Sequence, residues 1–256
     1  MLLKSSRLTK VQKKATVSRL FEESAPSYDF FLMLILSSII VALGLLIDNV
    51  VVIIGGMLVA PILFPILSFA MGVVVGDHKL MKRSTVVIFQ SIFVVIIISL
   101  IIAFLALKKE LTVEITSRVY PSLAYFLIAL FSGGAAAYAL ARPSLSEILP
   151  GVAISVSLIP PLAVLGIAIS FFEWSIIIGA LGLFFLNFLG IVFAAVLVFS
   201  VLKFYEVKEV IEKKIKAEEK ILEEERREKE KEKIEEIEKK VKEMSEIIKE
   251  KKKEVK

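Results

Sequence analysis

The chain has 256 residues, is 57% hydrophobic and carries a formal net charge of +5, with 32 Lys or Arg, 27 Asp or Glu and no cysteine. Apolar and charged residues in such amounts must occupy separate segments, and the lack of cysteine excludes disulfides, thiolate metal sites and cysteine nucleophiles. The surplus charge sits mainly in the first twenty residues and suits anionic lipid rather than nucleic acid.

Residues 1–26 read as a basic arm. Lys4, Arg7, Lys10, Lys13, Lys14 and Arg19 interleave with Leu8, Val11, Ala15, Leu20 and Phe21 at helical spacing. That pattern fits an amphipathic helix lying on a membrane surface, with a solvated arm before the first span as the alternative. The start MLLKSSRLTK is basic without a following apolar core, so it does not read as a cleavable signal. Pro26 ends the arm and Ser27 can cap the first apolar helix.

Residues 27–202 hold six apolar stretches: Phe30 to Ile47, Val50 to Val75, Val86 to Leu107, Ser122 to Ala141, Leu149 to Phe172 and Trp174 to Leu202. Each is long enough to cross roughly 30 Å of hydrocarbon at about 1.5 Å per residue. Asp48 and Asn49 alone separate the first two, predicting a tight helical hairpin. Glu173 and Trp174 mark a second such turn. Six crossings place both ends of the segment on one side, with Lys79, Lys82, Arg83 and Arg142, against Lys108, Lys109 and Arg118 on the other. The excess of positive charge predicts that both termini face the cytoplasm of a cell membrane.

The second and fifth stretches are interrupted. Gly55, Gly56, Pro61 and Pro65 break one; Gly151, Pro160 and Pro161 break the other, with Ser155 and Ser157 between them. Proline removes a backbone donor and clashes one turn back, so regular helix should fail there, and released carbonyls need protein or water as partners. Two uninterrupted stretches flank each broken one, giving three plus three. Three is odd, so the second half would cross the bilayer inverted, the arrangement of many secondary transporters. The match is loose: stretch starts are offset by 92 and 88 residues, and Pro61 to Pro160 by 99. Two independently kinked helices are the alternative.

Residues 203–256 change character. They contain 19 Lys or Arg, 18 Glu and neither Gly nor Pro. Glu precedes Lys by four at Glu209 and Lys213, Glu212 and Lys216, Glu235 and Lys239, and Glu238 and Lys242, which supports a solvated cytoplasmic helix. From about residue 234 a heptad emerges in Ile234, Ile237, Val241, Met244, Ile248 and Val255, broken by Lys251. It predicts a short coiled coil, and with it a homo-oligomer, dimer or trimer.

The pieces IIGGMLVAPILFPI, GGAAAYALAR, LPGVAISVSLIPPLAVLGIAI and LFFLNFLGIV, in that order, resemble a prokaryotic membrane family called domain of unknown function 389. The resemblance covers about Phe30 to Leu202 and implies a polytopic membrane domain without an established substrate. By the same resemblance Gly56, Pro61, Pro65, Gly133, Pro150, Gly151, Pro160, Pro161 and Asn187 are the notable residues. Gly55-Gly56 departs slightly from the more usual Gly-Ala.

Buried polar residues are the remaining pointers. Asn187 lies mid-span in FFLNFLG, where an amide must bond to another helix or line a cavity. Gln90 reads as a helix-interface residue. Ser155 and Ser157 can repair carbonyls before Pro160, and the small run from Ser132 to Ala137 suits close helix packing. No ionisable residue lies deep in any stretch, which disfavours a buried proton relay. Asp29 and Asp77, beside Tyr28 and Gly76, faintly echo intramembrane aspartyl proteases, but both fall at stretch ends and Val74 stands where the motif needs glycine. His78, alone in a basic loop, is no metal ligand, so neither an enzyme nor a cofactor or metal is expected.

The expectation is therefore an all-α polytopic membrane protein. It would pass a small ion or neutral solute through a pathway lined by Gly55, Gly56, Pro61, Pro65, Gly151, Ser155, Ser157, Pro160, Pro161 and Asn187. The competing expectation is a membrane anchor or scaffold that presents a coiled-coil arm to a cytoplasmic partner.

Overall fold

The computed structural model describes residues 8–106, 110–142, 144–145, 158–218, 220–224 and 227. Within these the chain is helical, with no strand. It divides into two compact units, Met1–Ile211 and Glu212–Lys256.

In the first unit the helices are α1 (Lys10–Glu23), α2 (Tyr28–Leu46), α3 (Val50–Val59), α4 (Leu63–Val75), α5 (His78–Leu105), α6 (Val113–Thr116), α7 (Leu123–Ala141), α8 (Ile159–Phe171) and α9 (Trp174–Val201), followed by a 3-10 turn at Phe204–Val207. Side-chain caps set most of their starts. Ser27 Oγ accepts from the Phe30 amide at 3.1 Å. Asn49 Oδ1 accepts from Val51 and Val52 at 3.0 and 3.2 Å. Asp77 Oδ1 accepts from Leu80 at 2.9 Å. Each answers one or two of the orphan amides that every helix start leaves.

Among the described residues, four helices are long and apolar enough to cross a membrane: α2, α5, α7 and α9. The pair α3 and α4, bent by 54°, makes a fifth if taken as one span, and α8, at 13 residues, is shorter. Their outward faces are apolar: Phe89, Phe93, Phe104, Phe131 and Phe185 are all more than half exposed. The described helices are compatible with an integral membrane protein, with an apolar rather than a polar exterior.

The core is α8. Leu162, Ala163, Val164, Ile167 and Ala168 have no exposed surface, enclosed by α2, α5 and α9. Around it α7 lies along α9 and α4 packs on α5 and α9. At Gly166 an added Cβ would collide with the Ile96 carbonyl and stand 2.9 Å from Ser99 Cβ, so α5 and α8 touch backbone to backbone there. Small residues permit such contact where apolar burial itself gains nothing against lipid.

Helix lengths recur. α2, α4 and α5 hold 19, 13 and 28 residues, and α7, α8 and α9 hold 19, 13 and 28. The bounds of α4 and α5 return 96 positions later in α8 and α9, Leu63 at Ile159, Val75 at Phe171, His78 at Trp174 and Leu105 at Val201. Those of α2 return 95 later in α7. Even the joints agree: Gly76 and Phe172 are both left-handed, at φ 68° and 60°, and the amides of Asp77 and Glu173 each reach back five residues, to Gly72 and Ala168, at 3.0 Å. These helix bounds differ from the apolar boundaries, whose starts are offset by 92 and 88. The cap at Asp77, not the first apolar residue, starts α5, so it begins at His78 rather than Val86 and the basic loop is helix.

One end of the bundle gathers α1, the start of α5, the ends of α7 and α9 and the 3-10 turn. The other holds the hairpin tip at Asp48, where Glu114 N donates to Asp48 Oδ1 at 2.8 Å and Thr112 Oγ1 to the Leu45 carbonyl at 2.6 Å. In the second unit residues 212–218 and 220–224 are helical, with ion pairs Lys220–Glu224 and Arg227–Glu223 at 3.8 and 2.7 Å. The coiled coil expected from about residue 234 lies outside the described residues.

Candidate functional site

The break between α3 and α4 begins at the hairpin. α3 lies so close to α2 that a Cβ on Gly56 would stand 2.6 Å from Val41 Cγ2 and 3.0 Å from its amide. In an unbroken helix the Gly56 carbonyl would accept from the Ala60 amide. Here Ala60 N turns to Met57 O at 3.3 Å, and Ser37 Oγ, from α2, donates to Gly56 O at 2.8 Å. Pro61 stands in the gap, and Phe64 N closes on its carbonyl at 3.3 Å. Pro65 is the third residue of α4.

Pro160 and Pro161 are the second and third residues of α8. α4 and α8 both start without a side-chain cap, in apolar surroundings where each orphan amide is costly. Proline in the first turn removes an amide that would have no partner, so Pro65, Pro160 and Pro161 suit buried helix starts. Gly151, Ser155 and Ser157, and Pro150 with them, lie outside the described residues.

Of the other expected residues, Gly56, Pro65, Pro160, Pro161 and Asn187 are buried, Pro61 is half-buried, and Gly55 faces outward with nothing within 4 Å of an added Cβ. Asn187 lies on the buried face of α9 beside Phe184 and Phe188, whose rings stack at 6.1 Å, and Phe69 of α4 approaches Phe188 at 6.4 Å. α3 touches α8. Gln90 is exposed on α5 rather than within the bundle. Two serines escaped notice, Ser37 at the break and Ser99 opposite Gly166. Ser99 Oγ is buried and has no hydrogen-bond partner among the described residues. The signal for the first was available, since Ser37-Ser38 is the only polar pair in the first apolar stretch.

The basic end carries its own polar cluster. Lys13, 4% exposed, donates from Nζ to Glu206 Oε2 at 2.7 Å and to the Lys203 carbonyl at 2.9 Å. That hydrogen bond from Lys13 holds the Glu206 carboxyl below its ordinary value of 4.5. At the other end of α1, Arg83 donates to Ser24 Oγ at 3.0 Å and the Phe21 carbonyl at 3.2 Å, with its guanidinium 4.6 Å from the Phe21 ring centre. Val17, Leu20 and Phe21 are buried while Val11 is 76% exposed and Ala15 is exposed. The buried face of α1 therefore differs from the one expected and is occupied by the protein's own helices α4 and α7 and the 3-10 turn.

No solved structure matches the chain. An uncharacterised protein of Methanocaldococcus jannaschii is 34% identical over 177 residues, covering 68% of this chain, which spans about half (54%) of that relative. The break between α3 and α4, the buried α8 and Asn187 all fall within residues 57–193, which match the profile of the domain of unknown function DUF389, and the chain belongs to that family.

Proposed function

We propose that this membrane protein passes a small ion or neutral solute across the bilayer, along a route at the break between α3 and α4 and the start of α8. The observation that carries the reading is the recurrence at 95 and 96 positions of three helix lengths, with matching joints, around two short uncapped helices. It supports two halves related by inversion, six crossings in all, with the apolar stretch 149–172 counted as the fifth. Interrupted helices that begin inside a bundle leave backbone groups available to solutes. The described basic residues Lys10, Lys14, Arg19, Lys79, Lys82, Arg83, Arg142 and Lys203 favour a cytoplasmic basic end, against Arg118 opposite. The exposed lysines of α1 keep anionic lipid as its partner. Gln90, polar among exposed Phe89 and Phe93, suits a contact between copies of the chain.

One observation favours the anchor instead: Ser37 already satisfies the Gly56 carbonyl, so the break is mended from within. Flux decides between them. The full chain, reconstituted in liposomes and given gradients of a panel of ions and neutral solutes, should pass at least one well above protein-free vesicles. Correctly inserted protein that passes none would leave the anchor reading.

A further inference from the structure

Helix α1 lies where two larger helices do not meet. The bounds of α2 return in α7 and those of α4 in α8, so by position α7 stands to α4 as α2 stands to α8. α2 packs directly on α8, whereas α4 and α7 share no comparable contact. Each touches α1 instead. The chain thus places a separate helix where the counterpart pair needs none.

The face that α1 buries is mixed. Val17, Leu20 and Phe21 are covered, and so are Lys13, Thr16 and Ser24. An interface of that polarity is typical of parts that move on one another rather than of a permanent core. Two polar clasps pin the helix. In one, Lys13 Nζ donates to Glu206 Oε2 at 2.7 Å and to the Lys203 carbonyl at 2.9 Å; in the other, Arg83 donates to Ser24 Oγ and the Phe21 carbonyl. The first clasp is the vulnerable one. The side chain of Glu206 is 39% exposed and that of Lys13 only 5%, so losing the carboxylate strands a cation among buried groups and favours release of the helix that carries it.

We propose that α1 is a removable wedge at the basic end: it holds α4 and α7 apart, and when the Lys13 clasp opens, α7 closes on α4 as α2 closes on α8. Directly packed helices stand about 8–10 Å apart, and one interposed helix adds up to about as much again. Its withdrawal leaves the facing sides of α4 and α7 without contacts, and closing restores them. The proposal rests on the same correspondence of helices as the transport reading. It is read as a distance, without flux, so either can fail alone.

The test is pulsed electron paramagnetic resonance on the full chain in lipid nanodiscs, with spin labels on Val73→Cys of α4 and Ala135→Cys of α7. Both positions are exposed, and the chain has no native cysteine to label beside them. Without further change the pair should give one distance. Lys13→Glu sets like charges against each other at the clasp and should move most of the population to distances shorter by several ångströms, up to about 8–10 Å. Lys13→Glu with Glu206→Lys rebuilds the pair and should restore the original distance. Should Lys13→Glu not yield folded protein, Glu206→Gln weakens the same clasp from its exposed side and should shift a smaller fraction the same way. A shortening that the charge exchange does not reverse would overturn the proposal. So would a distance that neither variant shortens, which would leave α7 held off by its own contact with α9, where a Cβ on Gly133 would stand 2.6 Å from Ile191 Cα.

Discussion

Ser37 of α2 donates its hydroxyl to the carbonyl of Gly56, 2.8 Å away across the hairpin. That carbonyl is one the α3 break releases, so a single side chain closes the helix that Pro61 opens. Ser37→Ala leaves a buried acceptor without its donor and should lower stability by about 1 kcal/mol. Ser38→Ala removes only a bond to Leu34 O in its own helix, 2.7 Å long, and should be nearly neutral. Thermal unfolding of both variants in the same detergent separates the two roles.

Gly166 and Gly55 make a second contrast. A Cβ on Gly166 runs into the Ile96 carbonyl and the Leu100 amide, backbone that cannot swing aside. Gly166→Ala should force α5 from α8 and cost about 1–3 kcal/mol, the usual penalty of overpacking. Gly55→Ala meets nothing within 4 Å, and as an interior helical residue it should gain about 0.5–1 kcal/mol. Equal effects at the two positions would deny that α8 is the tightly packed centre.

Phe172, just after α8, takes the left-handed backbone that Gly76 takes just after α4. An L-residue there costs about 1–2 kcal/mol, and at 82% exposure the ring gives little packing in return. Phe172→Gly should therefore raise the unfolding temperature, while Gly76→Phe should lower it.

The Lys13–Glu206 pair joins α1 to the turn after α9, and it titrates. Because Lys13 holds the Glu206 carboxyl below 4.5, the unfolded chain takes up the proton first as pH falls. The stabilisation is thus complete above the ordinary carboxyl value and is lost on acidification below it. Glu206→Gln should melt lower than wild type at neutral pH, and the gap should close as pH drops through and below about 4.5. A gap independent of pH would mean the pair acts through packing alone.

Much of this was legible beforehand because it rests on local chemistry. The hairpin at Asp48 and Asn49, the break at Pro61 and the burial of Asn187 arise from caps, missing amides and a polar group among apolar ones. The features that escaped depend on partners distant in sequence. The role of Pro160 and Pro161 turns on where α8 begins, which apolarity alone cannot locate. Ser37 matters only because Gly56 lets α3 approach it. In α1 the buried side includes Lys13 rather than Val11, because Glu206, 193 residues away, supplies its counter-charge. The recurrence of helix bounds at 95 and 96 positions was hidden because hydropathy marks only where the charges stop, while α5 begins eight residues earlier at His78.

Topology gives the most direct test of the membrane reading. The absence of native cysteine means that a single introduced thiol reports alone. Lys14, exposed on α1, lies at the basic end. Trp174, 71% exposed, begins α9, whose early residues Gly179 and Gly182 pack on Val119 and Pro121 near the opposite end. On the proposed topology one crossing by α9 separates that site from the basic end, and positive charge favours keeping the basic end inside. A membrane-impermeant maleimide should label Trp174→Cys in intact cells, whereas Lys14→Cys should react only after permeabilisation. Labelling of both from one side would place α9 within a single leaflet or along the surface, and two halves of opposite sense could not then be built from these helices.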